Sequence, residues 1–307
     1  MKARGGRIGL SLLMVPALGC EPPPEASTFC FLDSNEPSVS AADQVGGHAL
    51  VIKTSEGLFV VDGEGRRAVS GSEGVDDFAW NRDGTGFFVT RDGAVGFLPL
   101  EGGGVQEIYA GWPQAGFLAV SPDGATLAVS ANLTDDRGSG WEIWLLGSDG
   151  KNARPVAEGY DPSWAPDGSR LYFEQHDPIV HLATLDLATN RVTPFLSGSD
   201  RNFSVEISPR GTYAAFSRGS ARRVMLYTFA DSSLVATVDE SDGDRRVYDR
   251  FVSFSPDERY MAFFRQVQSP SAMALQIIAC NLATGRSRVV VEGDVLEAQF
   301  APVDIEW

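Results

Sequence analysis

The sequence predicts an all-β protein, a six-bladed β-propeller built from four-stranded antiparallel blades. Three observations favour this fold. A turn of the type Ser-Pro-Asp-Gly recurs between apolar segments, the copies are spaced by 40 to 47 residues, and fragments at the two ends of the chain add up to one further copy. Glycine-rich repeats of this length, with several short strands in each, are typical of propeller blades.

The recurring turn is clearest in residues 163–173, Ser-Trp-Ala-Pro-Asp-Gly-Ser-Arg-Leu-Tyr-Phe. Proline presets the backbone at the entry of the turn, aspartate bonds its own backbone, and glycine supplies a positive φ. An apolar strand enters the turn and another leaves it, so each copy joins the first two strands of a blade. The residues at the proline position of the six copies are Arg82, Pro122, Pro166, Pro209, Pro256 and Pro302.

The remaining strands follow from the same alignment. In the unit around Pro166, the four strands are predicted at 161–165, 171–174, 181–187 and 192–195. Residues 181–187 alternate between apolar and polar side chains, as a half-buried strand does. The third strands of the other units are predicted at 93–100, 142–146, 224–229 and 275–281, each followed by a turn rich in Gly, Asp, Asn or Ser.

The two ends of the repeat region complement each other. Residues 49–53, 57–61 and 67–70 are predicted as three strands with no copy of the turn before them, and residues 294–301 as a first strand. We therefore expect five continuous blades and one blade shared between the termini, so that the ring closes by pairing of N- and C-terminal strands. This closure removes the open edges of the sheet.

The N-terminal segment is predicted to be a signal peptide over residues 1–19. Three basic residues precede an apolar run at residues 8–18, which is about half the length that a bilayer-spanning helix needs. The following Ala17-Leu18-Gly19-Cys20 resembles the lipobox of bacterial lipoproteins, which implies cleavage before Cys20 and its lipidation. The alternative is a plain signal peptide cleaved nearby. Residues 20–46 are then a flexible, proline-rich spacer, and residues 47–307 the propeller.

The net charge limits the classes of binding partner, and the cysteine content indicates a possible disulfide. The formal net charge is −16, and it becomes −19 without Lys2, Arg4 and Arg7. Nucleic acid is excluded as a partner because phosphate binding needs basic surfaces. We expect a monomer whose membrane contact is made through the lipid anchor only. In an oxidising compartment Cys30 and Cys280 would form a disulfide, and the alternative is two free thiols.

At 119–129 and 254–263, an aromatic or apolar residue is followed by Ser-Pro-Asp and then by a strand containing Leu-Ala-Val or Met-Ala-Phe. These copies resemble the WD40-like repeats of TolB-type propellers. This resemblance covers residues 48–304, and it implies a six-bladed propeller of the bacterial envelope. The signature of true WD40 repeats, a Gly-His start with a Trp-Asp end, is absent. TolB also has an α/β domain before its propeller, and we expect no counterpart of it in residues 20–46.

The sequence contains little that indicates catalysis or a metal. There is no Gly-x-Ser-x-Gly or His-Glu-x-x-His motif. The turn aspartates are distributed one to a blade and are not expected to converge on a metal. No cofactor is predicted. Asp135 and Asp136, in the polar loop 132–140, would contribute oxygen ligands to a Ca²⁺ site, and the alternative is a solvated loop.

The positions where the copies differ are the better candidates for function. Alignment on the turns places Asp77, Phe117, Asp161, Ser204, Phe251 and Glu297 at one height, at the mouth of the central channel. Glu206 occupies a position that is small in four other copies, where it would either bind a ligand or pair with an arginine such as Arg250. The predicted ligand-binding residues are Asp77, Trp112, Phe117, Tyr160, Asp161, Glu206, Arg250, Phe251 and Glu297.

A mouth of aromatic and acidic side chains suits a peptide, a basic ligand or a cation. The alternative is that the aromatic rings pack between blades while the acids are solvated. We therefore expect a non-enzymatic, lipid-anchored propeller that binds a protein or peptide partner in the bacterial cell envelope. The alternative function is a hydrolase or lyase whose acidic site is built from Asp77, Asp161, Glu206 and Glu297. A third is an accessory part of a larger machine.

Overall fold

The structure is a computed structural model. It describes residues 28–29, 31–32, 49–62, 65–134, 140–176, 180–196, 200–219, 223–237, 244, 246–292 and 305–306. The predicted signal peptide, Cys20 and most of the spacer lie outside these residues. So do Cys30, the Asp135–Asp136 pair and Glu297.

Six antiparallel sheets form the blades and confirm the predicted fold. Blade 1 contains β26 (Ile305–Glu306), β3 (Leu50–Thr54), β4 (Gly57–Asp62) and β5 (Gly65–Ala68). Blade 2 contains β6 (Asp77–Trp80), β7 (Gly86–Arg91), β8 (Ala94–Pro99) and β9 (Gln106–Ala110). Blade 3 contains β10 (Gln114–Val120), β11 (Thr126–Asn132), β12 (Trp141–Gly147) and β13 (Arg154–Glu158).

The other three blades have the same order of strands. Blade 4 contains β14 (Tyr160–Trp164), β15 (Arg170–His176), β16 (Val180–Asp186) and β17 (Arg191–Pro194). Blade 5 contains β18 (Asn202–Ile207), β19 (Tyr213–Arg218), β20 (Arg223–Thr228) and β21 (Leu234–Thr237). Blade 6 contains β22 (Arg246–Phe254), β23 (Tyr260–Ser269), β24 (Ala272–Asn281) and β25 (Arg286–Glu292).

The recurring turn joins the first and second strands of a blade, as predicted. In blade 4 the Asp167 carboxylate accepts hydrogen bonds from the backbone N–H and the hydroxyl of Ser169, at 2.9 and 2.7 Å. Gly168 has a φ of 70°, which is the left-handed conformation that the turn requires. Turns between third and fourth strands lie at the same end of the ring, and we call this end the turn face.

The ring of turns also connects neighbouring blades. A Cβ atom at Gly211 would lie 3.3 Å from the Pro166 ring of the preceding blade. Blade 6 has Glu258 at the glycine position, with a φ of 56°. Its carboxylate accepts hydrogen bonds from Arg210 N and Thr212 Oγ1 of blade 5, both at 2.6 Å.

The hydrophobic core lies between the faces of adjacent blades. Between blades 3 and 4, for example, Ile143, Leu171 and Phe173 are completely buried in one cluster. Each blade thus buries both faces against its neighbours, and the first strands are left to surround the central channel.

The ring closes as predicted, by pairing of N- and C-terminal strands. β26 pairs antiparallel with β3, with Ile305 opposite Ile52 and Glu306 opposite Val51. The closing strand that the structure describes therefore follows the predicted segment 294–301, which lies outside the described residues.

Two further strands occur within the predicted spacer. β1 (Thr28–Phe29) pairs in parallel with β21, and β2 (Phe31–Leu32) pairs in parallel with β25. The sequence did not predict them because two-residue strands have no periodicity. They form because the outer edges of blades 5 and 6 have backbone groups available for pairing. Within the described ranges, no helix is long and apolar enough to span a bilayer.

Candidate functional site

The first strands of blades 2 to 6 surround a central cavity of about 490 Å³. One end of the cavity lies at the turn face and is lined by Arg82 and by prolines such as Pro122 and Pro166. The other end is the mouth. Of the six residues predicted at mouth height, the described ones all line this cavity, namely Asp77, Phe117, Asp161, Ser204 and Phe251.

The backbone at the mouth has a conformation that the sequence did not predict. Asp161, Ser204 and Phe251 have φ values of 58°, 50° and 52°, which lie in the left-handed region. The pairing register of the first and second strands shifts at these residues, so each lies in a β-bulge. Non-glycine residues in this conformation are strained, and such strain occurs often at functional sites.

Side chains of the preceding blade hold two of these bulges in place, those at Asp161 and Ser204. Ser130 Oγ of blade 3 accepts a hydrogen bond from Asp161 N at 3.0 Å. The buried carboxylate of Glu174 in blade 4 accepts one from Ser204 N. Thr90 Oγ1 of blade 2 likewise donates to Gly116 O at 2.9 Å. In every copy of the repeat, the mouth residue and the turn residue are five positions apart, so the spacing shows no extra residue. The bulges depend instead on these bonds between blades, which the repeat does not reveal.

Two of the predicted carboxylates form hydrogen bonds that connect the first strands of neighbouring blades. Asp77 is 4% exposed, and its Oδ2 accepts a hydrogen bond from Leu118 N at 2.7 Å. Glu206 Oε2 accepts one from Ser163 Oγ at 3.0 Å, and the same Oγ accepts a bond from Ile207 N at 3.0 Å. Ser163 thus joins blades 4 and 5 beneath the mouth.

Arg250 contacts side chains of its own blade beside the mouth. It donates to Gln266 Oε1 at 3.1 Å, and its guanidinium is 5.5 Å from the ring centroids of Phe251 and Phe264. It packs on the aromatic residues of blade 6 beside the mouth.

An aromatic cluster borders the mouth on blades 3 and 4. The Tyr160 ring lies 5.9 Å from Phe117, 6.4 Å from Trp141 and 4.6 Å from His176. His176 Nε2 is 3.5 Å from the Glu174 carboxylate. Trp141 and His176 were not among the predicted site residues. Their position at the ends of strands whose loops face the mouth was the available signal.

Trp112 lies elsewhere. It is 6% exposed and packs against Tyr109 and Trp144, with ring centroids 4.4 and 5.6 Å away, in the core between blades 2 and 3. Its prediction as a mouth residue came from the loop in which it occurs, but burial of its large apolar ring draws it between the blades.

The charges of the cavity are separated along its axis. Asp77 and Asp161 lie at the mouth, and Glu206 lies two residues deeper. Arg82 lies at the turn face, where it donates hydrogen bonds to Ser121 O and Val120 O, both at 3.1 Å. Among the described residues that line the cavity, these are the charged ones. Within the cavity lining, the acidic side chains therefore lie toward the mouth and the basic one lies at the opposite end.

The turn aspartates are engaged locally. Hydrogen bonds from the backbone and side chain of Ser169 hold the pKa of Asp167 below its usual value. Bonds from Thr85 and Ser121 do the same for the pKa values of Asp83 and Asp123. In the part of the chain that the structure describes, no group of three or more His, Cys, Asp or Glu side chains could hold a metal ion.

Cys280 is disulfide-bonded. Its partner lies outside the described residues, so the pairing of Cys30 with Cys280 stays a prediction.

The fold has known counterparts, although no family model and no curated protein matches the sequence. A putative TolB from Agrobacterium tumefaciens superposes with a TM-score of 0.58 at 19% identity, over 80% of this chain and 88% of that one. TolB from Acinetobacter baumannii gives 0.54 at 16% identity, over 84% and 74%. A chain of a nidogen/laminin complex gives 0.63 at 12% identity, over 84% and 97%. The fold is that of a TolB-type propeller.

Proposed function

We propose that this protein is a lipid-anchored module of the bacterial cell envelope that binds a protein or peptide partner at the mouth of its channel. The observation that carries the proposal is the mouth itself. Aromatic and acidic side chains converge there on a cavity of about 490 Å³, on backbone that neighbouring blades hold in a strained conformation. Such rigid, concave sites with a few polar groups are typical of ligand binding.

The cellular location is supported by two independent features. The first is the predicted signal peptide and lipobox, with Cys20 as the lipidated residue. The second is the similarity of the fold to two TolB structures. A third neighbour was solved in a nidogen/laminin complex, so propellers of this shape also take part in protein–protein contacts.

The separation of charge favours a basic segment as the ligand. An extended peptide that enters from the mouth would pass the Tyr160 ring and Asp161 first. A lysine or arginine side chain would then reach Glu206, which is about 7 Å deeper at the usual rise of a strand. A cation gains there from both the aromatic rings and the carboxylates. Acidic segments would be repelled.

A titration with short peptides tests this function. Trp80 and Trp164 line the cavity, so their fluorescence reports its occupancy. The probes are Gly-Ser-Lys-Gly-Ser and Gly-Ser-Glu-Gly-Ser, both acetylated and amidated so that the central residue carries the only charge. We expect binding of the lysine peptide and none of the glutamate peptide.

Matched variants identify the site in the same titration. Glu206→Gln and Asp161→Asn should each weaken binding of the lysine peptide by about tenfold, the loss expected for one charge-assisted hydrogen bond. Asp231→Asn, which removes an equal charge from an exposed turn, should leave it unchanged. Equal affinity for both peptides, or equal effects of all three variants, would contradict the proposed site.

The hydrolase or lyase alternative requires two carboxyl groups directed at one substrate. In this cavity the Asp77 carboxylate accepts a backbone N–H of blade 3, and the Glu206 carboxylate accepts the Ser163 hydroxyl. These bonds link blades and favour the binding function over catalysis.

A further inference from the structure

We propose that the turn face of the propeller lies against the lipid bilayer and that the channel mouth points away from it, toward the aqueous compartment. The inference rests on the proposed lipid anchor at Cys20. It adds an orientation, and with it the side from which a partner must approach.

The direction of the short strands β1 and β2 carries the inference. β21 and β25 are fourth strands, so each begins at the turn face and runs toward the mouth. β1 is parallel to β21, with Thr28 opposite Ala236, and β2 is parallel to β25, with Phe31 opposite Arg286. The chain therefore reaches the propeller from the side of the turn face.

The length of the connection limits the distance to the membrane. Thr28 is eight residues after Cys20, which corresponds to at most about 28 Å of extended chain. Three consecutive prolines at residues 22–24 favour an extended course. To bring the mouth to the membrane instead, the same eight residues would have to reverse direction and pass back along a blade that is about 20 Å tall.

The distribution of charge agrees with this orientation. Basic side chains accompany the acidic ones on the turn face, as in the Lys151–Asp149 pair at 2.8 Å and the Arg170–Asp186 pair at 3.8 Å. The mouth face has exposed acids that include Glu56, Glu73, Asp92, Glu158 and Asp200. An anionic bilayer repels the mouth face more strongly than the turn face.

Fluorescence quenching from the bilayer tests the orientation. A fluorophore is attached to the protein, purified with its lipid, through Asp231→Cys on the turn face or Glu56→Cys on the mouth face. Both positions are exposed turn residues. The labelled proteins are placed in phosphatidylcholine vesicles that carry a quencher on the lipid headgroup. We expect strong quenching at position 231 and little at position 56.

Equal quenching, or stronger quenching at position 56, would overturn the orientation. The variant Cys20→Ser, labelled in the same way, should lose quenching at both positions. If it does not, or if Cys20 carries no lipid, the anchor and the orientation both fail. The peptide titration described above is independent of the anchor, so its outcome still decides whether the mouth is a binding site.

Discussion

The two ends of the central channel differ in how similar the six copies of the repeat are to one another. At the turn face, the copies keep the same residue types and the same local hydrogen bonds, as in the turns of Asp83, Asp123 and Asp167. At the mouth, the equivalent residues are Asp77, Phe117, Asp161, Ser204 and Phe251. A residue that recurs in every blade forms the blade. The positions that have diverged around a shared cavity are the ones available to select a ligand.

The bonds that support the two ends are also of different kinds. A turn aspartate bonds residues two positions away, so its own bonds stay within one turn, and contacts between turns come from other residues such as Glu258. The mouth is supported by bonds between blades, such as those that Ser130 and Ser163 accept from Asp161 N and Ile207 N. Loss of a turn aspartate should therefore have a local effect, whereas loss of an inter-blade bond at the mouth should affect the assembled ring.

The largest effect is expected from Asp249→Ala, at the mouth end of the first two strands of blade 6. Asp249 and Arg265 are both buried and form two hydrogen bonds, at 2.7 and 2.9 Å. The variant removes the carboxylate that balances the charge of the buried Arg265 guanidinium. This loss should lower the free energy of unfolding by about 3–5 kcal/mol. Denaturant unfolding measures this. The double variant Asp249→Ala with Arg265→Met should be more stable than Asp249→Ala, and an equally unstable double variant would contradict the explanation.

A smaller loss is expected from Ser163→Ala, which removes the hydroxyl shared by Glu206 and Ile207 N. The buried amide of Ile207 loses its acceptor, so the free energy of unfolding should fall by about 1–3 kcal/mol. Release of Glu206 should also change the affinity for the lysine peptide. Ser169→Ala, at an exposed turn, is the control. A Ser163→Ala protein as stable as the control would show that the inter-blade bond contributes nothing.

At the turn face, Glu258 tests backbone strain against hydrogen bonding. Glu258→Gly and Glu258→Ala both remove the bonds to Arg210 N and Thr212 Oγ1, but only glycine adopts a φ of 56° without strain. The glycine variant should therefore be more stable than the alanine variant by about 1 kcal/mol. Thermal unfolding of the two proteins compares them, and alanine equal to glycine would mean that the turn relaxes.

The smallest effects are expected on the stability of the protein at low pH. The folded-state pKa values of Asp83, Asp123 and Asp167 are depressed, so their contribution to stability is present above the unfolded pKa and is lost as the pH falls through the folded value. Stability to urea should therefore decline below about pH 4. Asp167→Asn, which can keep the turn without a charge, should make this decline shallower. An unchanged pH profile would exclude Asp167 from it.

The sequence was sufficient for the fold because the turns are local. Pro166, Asp167 and Gly168 specify a turn through their own backbone preferences, and their spacing then determines the number of blades. The height of the mouth residues followed from the same alignment. The bulges at Asp161 and Ser204 could not be predicted, since they depend on side chains of the preceding blade. Two-residue strands such as β1 have no pattern to detect, and the burial of Trp112 between blades depends on three-dimensional packing.

Site-specific photo-crosslinking in the living cell tests the central claim most directly. A photoreactive phenylalanine analogue replaces Phe251 at the mouth or Asp231 at the turn face, in otherwise unchanged protein. Both residues lie at the surface of the ring, at opposite ends. We predict a discrete crosslink to an envelope protein from position 251 that Glu206→Gln weakens, and none from position 231. Crosslinking of the same partner from position 231, or none from position 251, would contradict the assignment of function to the mouth.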